Sequence, residues 1–375
     1  MRAELSRKTR VSVPAGVRRW TGPFLLGVAL LSVSPVGPLQ LAFTPAAFGE
    51  EAAGRSVSER AAEVDSLLAR AGRAADAGDA AAAEALFEEV LDAAPRDHRA
   101  LNGLAIVGLI ENDPDRAIEY ARKAVKADKR NSLYHFILAN GYGMKAEQGG
   151  LRAMFYGGKF KTECELAVEY DPENIDAHFA LLYFSLYAPS VMGGGMDRAK
   201  EKAETIASID EYHGHVAHAV IAKREDDPEG AEASYLAAAA VDSMNAEGWS
   251  LLGTFYRDTD RPLDAVPVFQ RVRELAPDDL VAVYQLAAAH ADGGDDLAAA
   301  EEGFKAYMAA GDRPDEPELA SAHWRLGLVY EAQGRYQEAM AEFDEAIRLN
   351  PEHAMAVESK ARLAADQGRM PGESQ

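Results

Sequence analysis

Cysteine is almost absent: Cys164 is the single one in 375 residues. That excludes an intramolecular disulfide and any zinc site built on cysteines. Runs of β-branched residues are also few, and from Arg60 onward alanine takes their place. A sheet has little to be built from, whereas alanine loses little entropy on entering a helix. Basic residues fall short of acidic ones, 39 against 61, which leaves a formal net charge of −22. A chain this acidic repels nucleic acid and anionic membrane surfaces. Basic partners would be attracted, and the plainest consequence of the charge is solubility. Catalytic signatures are missing too. No serine sits in a nucleophile elbow, and no cysteine–histidine pair is apparent. Paired acids such as Asp113 and Asp115, Asp226 and Asp227, or Asp295 and Asp296 fall in inter-helix turns, where capping accounts for them. The chain therefore reads as a non-enzyme without a cofactor.

The N-terminus has the order of an export signal. Residues 1–49 hold six basic groups (Arg2, Arg7, Lys8, Arg10, Arg18 and Arg19) against Glu4 alone. A short apolar core, Phe24–Leu31, follows, and Ala47 and Gly49 suit cleavage after Gly49. Pro35 and Pro38 interrupt the apolar run, against a well-formed spanning helix. The alternative is an uncleaved anchor over roughly residues 23–43. Either way the rest of the chain is expected outside the cytoplasm, periplasmic or secreted if cleaved and tethered to the inner membrane if not. Membrane contact is expected only in the tethered case. No cysteine follows the apolar run to carry a lipid, and the residues around Arg18-Arg19 fit a twin-arginine signal poorly.

What the chain has in quantity is self-similarity. Set in register, an aromatic or apolar residue falls at position 4, leucine near 7, a small residue at 8 and often tyrosine at 11. Alanine follows at 20, an aromatic at 24, a small residue at 27 and proline at 32. The copy from Ala320 shows Leu326, Gly327, Tyr330, Ala339, Phe343, Ala346 and Pro351. The copy from Ala246 shows Trp249, Leu252, Gly253, Tyr256, Ala265, Phe269, Val272 and Pro277. Weaker copies start at Val64, His98, Ser132, Ile175, Tyr212 and Leu280, and four of the seven spacings are 34 residues. These residues resemble the tetratricopeptide-repeat (TPR) family over about residues 64–353, and the period is that family's. The resemblance implies an all-α, right-handed superhelical solenoid of about eight helix pairs that binds protein or peptide segments. Small residues at 8 and 20 would allow paired helices to cross closely, and proline at 32 would stop the second helix. The expected layout is a signal or anchor at 1–49, a linker at 50–63, the repeat array at 64–353, a capping helix at 354–367 and a loose tail at 368–375. Cys164 falls at an apolar helical position and is expected to be buried.

The period breaks twice, in adjacent repeats. One insertion surrounds Gln148-Gly149-Gly150 and Phe155-Tyr156-Gly157-Gly158, and the other is Ala188–Asp197 with Gly193, Gly194 and Gly195. The Ala188–Asp197 insertion resembles that of a class of exported bacterial TPR proteins with an AP…GGG extension. Gly193–Gly195 precede a helix, as a phosphate loop does, but they follow a helix and lack a Gly-Lys-Ser/Thr ending. A long inter-helix turn is the simpler reading. His213, His215 and His218 could in principle hold zinc, although positions 4 and 7 of the repeat suit packing.

In TPR arrays, positions 2, 5, 9, 12 and 13 of each first helix line the concave groove. In this chain they supply Phe136, Asn140, Met144, Phe179, Tyr183 and Tyr187, with Lys223, Arg224 and Arg257 as a basic edge. Aromatics beside cations suit an extended peptide or an acidic ligand. The opposing possibility is that inserted loops fold back and make these aromatics core. The lysine and asparagine set with which TPR chaperone adaptors clamp a C-terminal carboxylate is incomplete: Asn140 alone matches at position 9, and no lysine stands at position 5. The expected function is an exported protein–protein interaction scaffold. The alternative is a small-ligand or metal-binding envelope protein that uses the inserted loops and the His213–His218 cluster. Cleavage is directly measurable: N-terminal sequencing of the protein from its native host should start near Glu50, and intact Met1 in the soluble cytoplasmic fraction would overturn export.

Overall fold

A computed structural model describes residues 57–147, 149–310 and 317–369; the expected signal or anchor at 1–49 and residues 370–375 of the tail lie outside them. Seventeen α-helices and one short 3₁₀ turn, Ser190–Met192, are the regular elements, and no strand occurs among the described residues. They group into two units. The N-terminal unit holds α1 (Val57–Asp76), α2 (Ala80–Ala93), α3 (His98–Ile110), α4 (Pro114–Ala127), α5 (Ser132–Glu147), α6 (Gly150–Tyr170), α7 (Ile175–Tyr187), α8 (Met196–Ile209) and α9 (Glu211–Arg224). The C-terminal unit holds α10 (Pro228–Val241), α11 (Ala246–Asp258), α12 (Pro262–Leu275), α13 (Leu280–Gly293), α14 (Leu297–Ala309), α15 (Leu319–Ala332), α16 (Tyr336–Leu349) and α17 (Ala354–Arg369). No described helix is long and apolar enough to cross a membrane.

The helix starts follow the repeat register. His98, Ser132, Ile175, Ala246 and Leu280 each open both a repeat and a helix. Local chemistry sets these starts. Asp79, Asp97, Asp113, Asn174, Asp210, Asn245, Asp279 and Asp296 each stand at an N-cap and accept a backbone N–H from the first turn. Such a cap stabilises a helix by about 1 kcal/mol. Helix α1 starts at Val57, within the stretch expected as a linker and ahead of the Val64 register. At the other end α17 runs two residues past the expected bound of 367; it buries Leu363 in the C-terminal core, and the Trp324 indole donates to Ser359 Oγ at 3.0 Å.

Each helix packs on its chain neighbour within its unit, and first helices also pack side by side, α1 on α3, α3 on α5, α7 on α9, α11 on α13, α13 on α15 and α15 on α17. Between α5 and α7 helix α6 carries the contact: its Tyr156 stacks on Tyr142 of α5, and its Phe160 on Phe184 of α7, each pair 6.1 Å apart. The 43-residue spacing has its explanation here. The chain turns at Gly149 and Gly150, both at positive φ, and α6 then runs for 21 residues. Phe155–Gly158, expected in an inserted segment, are therefore helix. Two glycines cost a helix about 1 kcal/mol each, and packing against α5 and α7 outweighs this. Cys164 is fully buried in that core, and burial pushes its thiol well up, so it is a packing residue.

The closest approach in the repeat is glycine against phenylalanine. A Cβ on Gly327 would lie 2.5 Å from the Phe343 ring, and one on Gly253 2.7 Å from the Phe269 ring. Both rings are buried to 1% exposure or less. In a helix alanine normally outranks glycine by about 1 kcal/mol, but overpacking of this kind costs about 1–3 kcal/mol. Gly327→Ala should therefore lower stability in urea unfolding, and a neutral or stabilising result would refute the close crossing.

Candidate partner-binding face

Helix α7 starts where Asn174 accepts the Ala177 amide at 2.9 Å. Its register then places Phe179, Tyr183 and Tyr187, four residues apart, on one stripe. Phe179 and Tyr183 have ring centroids 6.4 Å apart, and Tyr183 and Tyr187 stack at 6.5 Å with planes only 9° apart. Helix α9 runs beside them. His213, near its start, meets Phe179 edge-on at 6.1 Å, and Arg224, at its end, lies 5.8 Å from the Tyr187 ring centroid. The stripe is graded. Phe179 is 5% exposed, Tyr183 and Tyr187 are half-buried, and Lys223 and Arg224 are exposed. An exposed arginine over an aromatic face contributes about 0.5–1 kcal/mol, and its charge remains available to a partner.

The buried end of the stripe is polar beneath its rings. Asp210 caps α9 by accepting the His213 amide at 2.8 Å, and it also accepts the imidazole Nδ1–H at 2.6 Å. Burial pushes the Asp210 carboxyl up, but the bonds from His213 outweigh it and hold the group below the usual range. Asp176, on α7, is pushed up by burial, which His213 only partly offsets. His213 Nε2 is buried without a hydrogen-bond partner.

The remaining expectations divide. Phe136 is 5% exposed and belongs to the core cluster with Leu138, Leu181 and Phe184, so it is not a groove residue. Phe179 is corrected in the same way, because α9 covers it. Asn140 and Met144 are half-buried on α5, and Asn140 Oδ1 is buried without a hydrogen-bond partner. Arg257 lies on α11 in the other unit, where it is bound by Gln285 and Asp292. The histidines do not converge: His213 serves Asp210, and His218 Nε2 faces Glu204 at 3.3 Å. Among the described residues no three His, Cys, Asp or Glu side chains group as metal ligands would.

Of the Ala188–Asp197 insertion, residues 188–195 form a closed turn, and Met196 and Asp197 already belong to α8. The amides of Gly193, Gly194 and Gly195 donate to Ser190, Pro189 and Ser185 at 3.0, 3.2 and 2.7 Å. All three are used internally, so they cannot form the open cradle that a phosphate requires. A Cβ on Gly194 would fall 1.7 Å from the Ala188 oxygen, which is why that position is glycine. What sequence reasoning missed is in the C-terminal unit: Tyr284, Gln285, Asp292 and Arg325 gather round Arg257. Gln285 and Arg325 occupy position 6 of their repeats, outside the positions that line the groove in TPR arrays.

Comparison with known proteins agrees with the repeat register. A tetratricopeptide-repeat family model matches residues 320–353, and another matches 68–132 and 216–280. Among solved structures, that of yeast Tom70 is similar with a TM-score of 0.63 and 16% identity, covering 88% of this chain and 68% of its own. TTC0263, a thermophilic TPR protein of Thermus thermophilus, covers 60% of this chain and 98% of its own at 21% identity, with a TM-score of 0.39. No curated protein matches in sequence. The Tom70 likeness shows the fold.

The gradient along α7 separates two roles by stability. Phe179→Ala should cost about 3–5 kcal/mol, as emptied core sites do. Tyr187→Ala should cost no more than about 1 kcal/mol, near the range of surface changes. Equal losses in urea unfolding would show that the stripe is core along its whole length.

Proposed function

Since this chain is a tetratricopeptide-repeat protein, we propose that it is an interaction scaffold that holds a protein or peptide segment against the α7–α9 face of its N-terminal unit. TPR proteins are typically non-enzymatic scaffolds that bind protein or peptide partners, and no catalytic role or cofactor is proposed. The observation that carries the reading is the stacked, half-buried Tyr183–Tyr187 pair beside the exposed Arg224. Rigid aromatic surface anchors a partner at low entropic cost, and an adjacent arginine adds direction for an acidic or carbonyl group. The buried Phe179 beneath the pair keeps α7 in place, so the two tyrosines are presented ready for contact.

The working place is proposed to be outside the cytoplasm, in the periplasm or beyond it. The support for this is the basic, apolar and small-residue order of residues 1–49. A basic or uncharged partner surface would suit the net charge of −22, with the Arg224 edge as a local exception.

A pull-down from the native host tests the face. The wild-type protein and the Tyr183→Ala/Tyr187→Ala double variant are compared at matched melting temperature. Recovery of one stoichiometric partner by the wild type and its loss from the variant is the expected result. Equal recovery by both would place the binding face elsewhere.

A further inference from the structure

Helix α6 is longer than comparable second helices, and the excess lies at its start. Pro95, Pro172, Pro277 and Pro351 each follow the end of a second helix (α2, α6, α12 and α16), so α6 stops in register. The other three helices have 14 residues and α6 has 21. The added stretch is about two turns, or about 10 Å. It opens at Gly149 and Gly150, where positive φ turns the chain after α5. A Cβ at Gly149, Gly150 or Gly158 would meet no atom within 4 Å, so these turns stand open to one side.

The side chains there are not those of a solvated helix. Leu151, Met154 and Phe155 are 86%, 53% and 59% exposed. Their spacing puts them on one face, which Gly158 continues. Arg152 and Lys159, about two turns apart, share the adjoining face. The Lys159 ammonium lies 4.3, 5.2 and 5.7 Å from the ring centroids of Phe155, Tyr142 and Tyr156. Arg122 of α4 adds an exposed cation, donating to the Tyr142 hydroxyl at 2.8 and 3.0 Å. Residues 149–162 hold Arg152, Lys159 and Lys161 and no acid, in a chain that has 61 acids. The 188–195 turn meets α6 at Lys161, where a Cβ on Gly193 would lie 3.3 Å from Cε, and its Val191 is exposed as well. Folding does not account for the arrangement. Large apolar side chains left bare together mark a surface for another body.

We propose that the start of α6, with Arg122 of α4, is a peripheral docking site for a bilayer that contains anionic phospholipid. Leu151, Met154 and Phe155 enter the boundary of headgroups and acyl chains, to a depth of about 5–10 Å. Arg152, Lys159 and Arg122 stay at the headgroups, where their charge complements the lipid phosphates. A fluid bilayer receives a projecting helix end without a preformed hollow, which a folded protein would have to supply. A second copy docked through the same patch would set these cations against their own images, which like charge opposes. The site lies on α4 and α6, not on the α7–α9 face, and does not rest on that reading.

The test is sedimentation of the chain from Glu50, which carries every described helix, with lipid vesicles. One set holds phosphatidylglycerol and phosphatidylcholine in equal parts, and the other phosphatidylcholine alone. Binding to the anionic set should be at least tenfold the tighter. General electrostatics cannot supply it, because a net charge of −22 is repelled by such a surface. Leu151→Ser/Phe155→Ser and Arg152→Gln/Lys159→Gln should each weaken binding tenfold or more, while the urea midpoint of each variant checks its fold. Tyr183→Ala/Tyr187→Ala should bind as the wild type does, which separates this site from the tyrosine face. Phe155→Trp gives a second readout: its emission should shift to the blue with anionic vesicles, beyond any shift of the wild type. No binding of the wild type to the anionic set would overturn the proposal, as would equal binding to both sets or full binding by both α6 double variants. If those variants fail to fold, the tryptophan decides, and an unshifted emission overturns the proposal. Capture of a soluble acidic protein by the patch without vesicle binding would make it a protein interface and overturn the proposal too.

Discussion

Everything in this chain depends on how closely two paired helices can cross. A glycine at one helix and a phenylalanine at the next leave less than a carbon–carbon contact for any added Cβ, as at Gly253 with Phe269 and Gly327 with Phe343. At that separation the ring is wholly enclosed, and burial of a phenylalanine is worth about 1.5–3 kcal/mol. One pair still leaves its other flank apolar, so the next pair must cover it, and the packing propagates. The Asx caps fix where each helix starts, and thereby which residue meets which ring. Starts and crossings support one another, and the 34-residue spacing is their joint record.

Once the first helices stand side by side, their shared face becomes the natural place for contact with other molecules. Its character differs between the units. In the N-terminal unit it is an aromatic stripe that grades from the enclosed Phe179 to the accessible Tyr187 and Arg224. In the C-terminal unit it is a pair of arginines across one aspartate, above Tyr284. The stripe offers rigid apolar area and the arginine pair offers charge.

The insertions show how a repeat tolerates change. In one, extra residues lengthen α6 and carry its aromatic contacts to both flanking first helices. In the other, they close on themselves through backbone bonds from three glycines. Read as local sequence, Gly157 and Gly158 signal a loop; Gly149 and Gly150, at positive φ, are where the chain does turn. The misreading has a simple cause. A glycine's helix penalty is about 1 kcal/mol, a sum that one ring-on-ring contact beyond the same helix can offset.

The chain order by itself determined the all-helical class, the period, the helix starts at His98, Ser132, Ile175, Ala246 and Leu280 and the burial of Cys164. Each of these follows from periodicity, capping and propensity, which act over a few turns of one segment. Only the tertiary structure decided exposure and partnership. Phe179 and Tyr187 have the same spacing signal, yet α9 covers the former and leaves the latter half-buried. Arg257 reads as one more basic residue until α13 and α15 bring Asp292 and Arg325 beside it. Such differences come from neighbours about 35 residues away in the chain, one repeat removed, and no local pattern encodes which of them arrives.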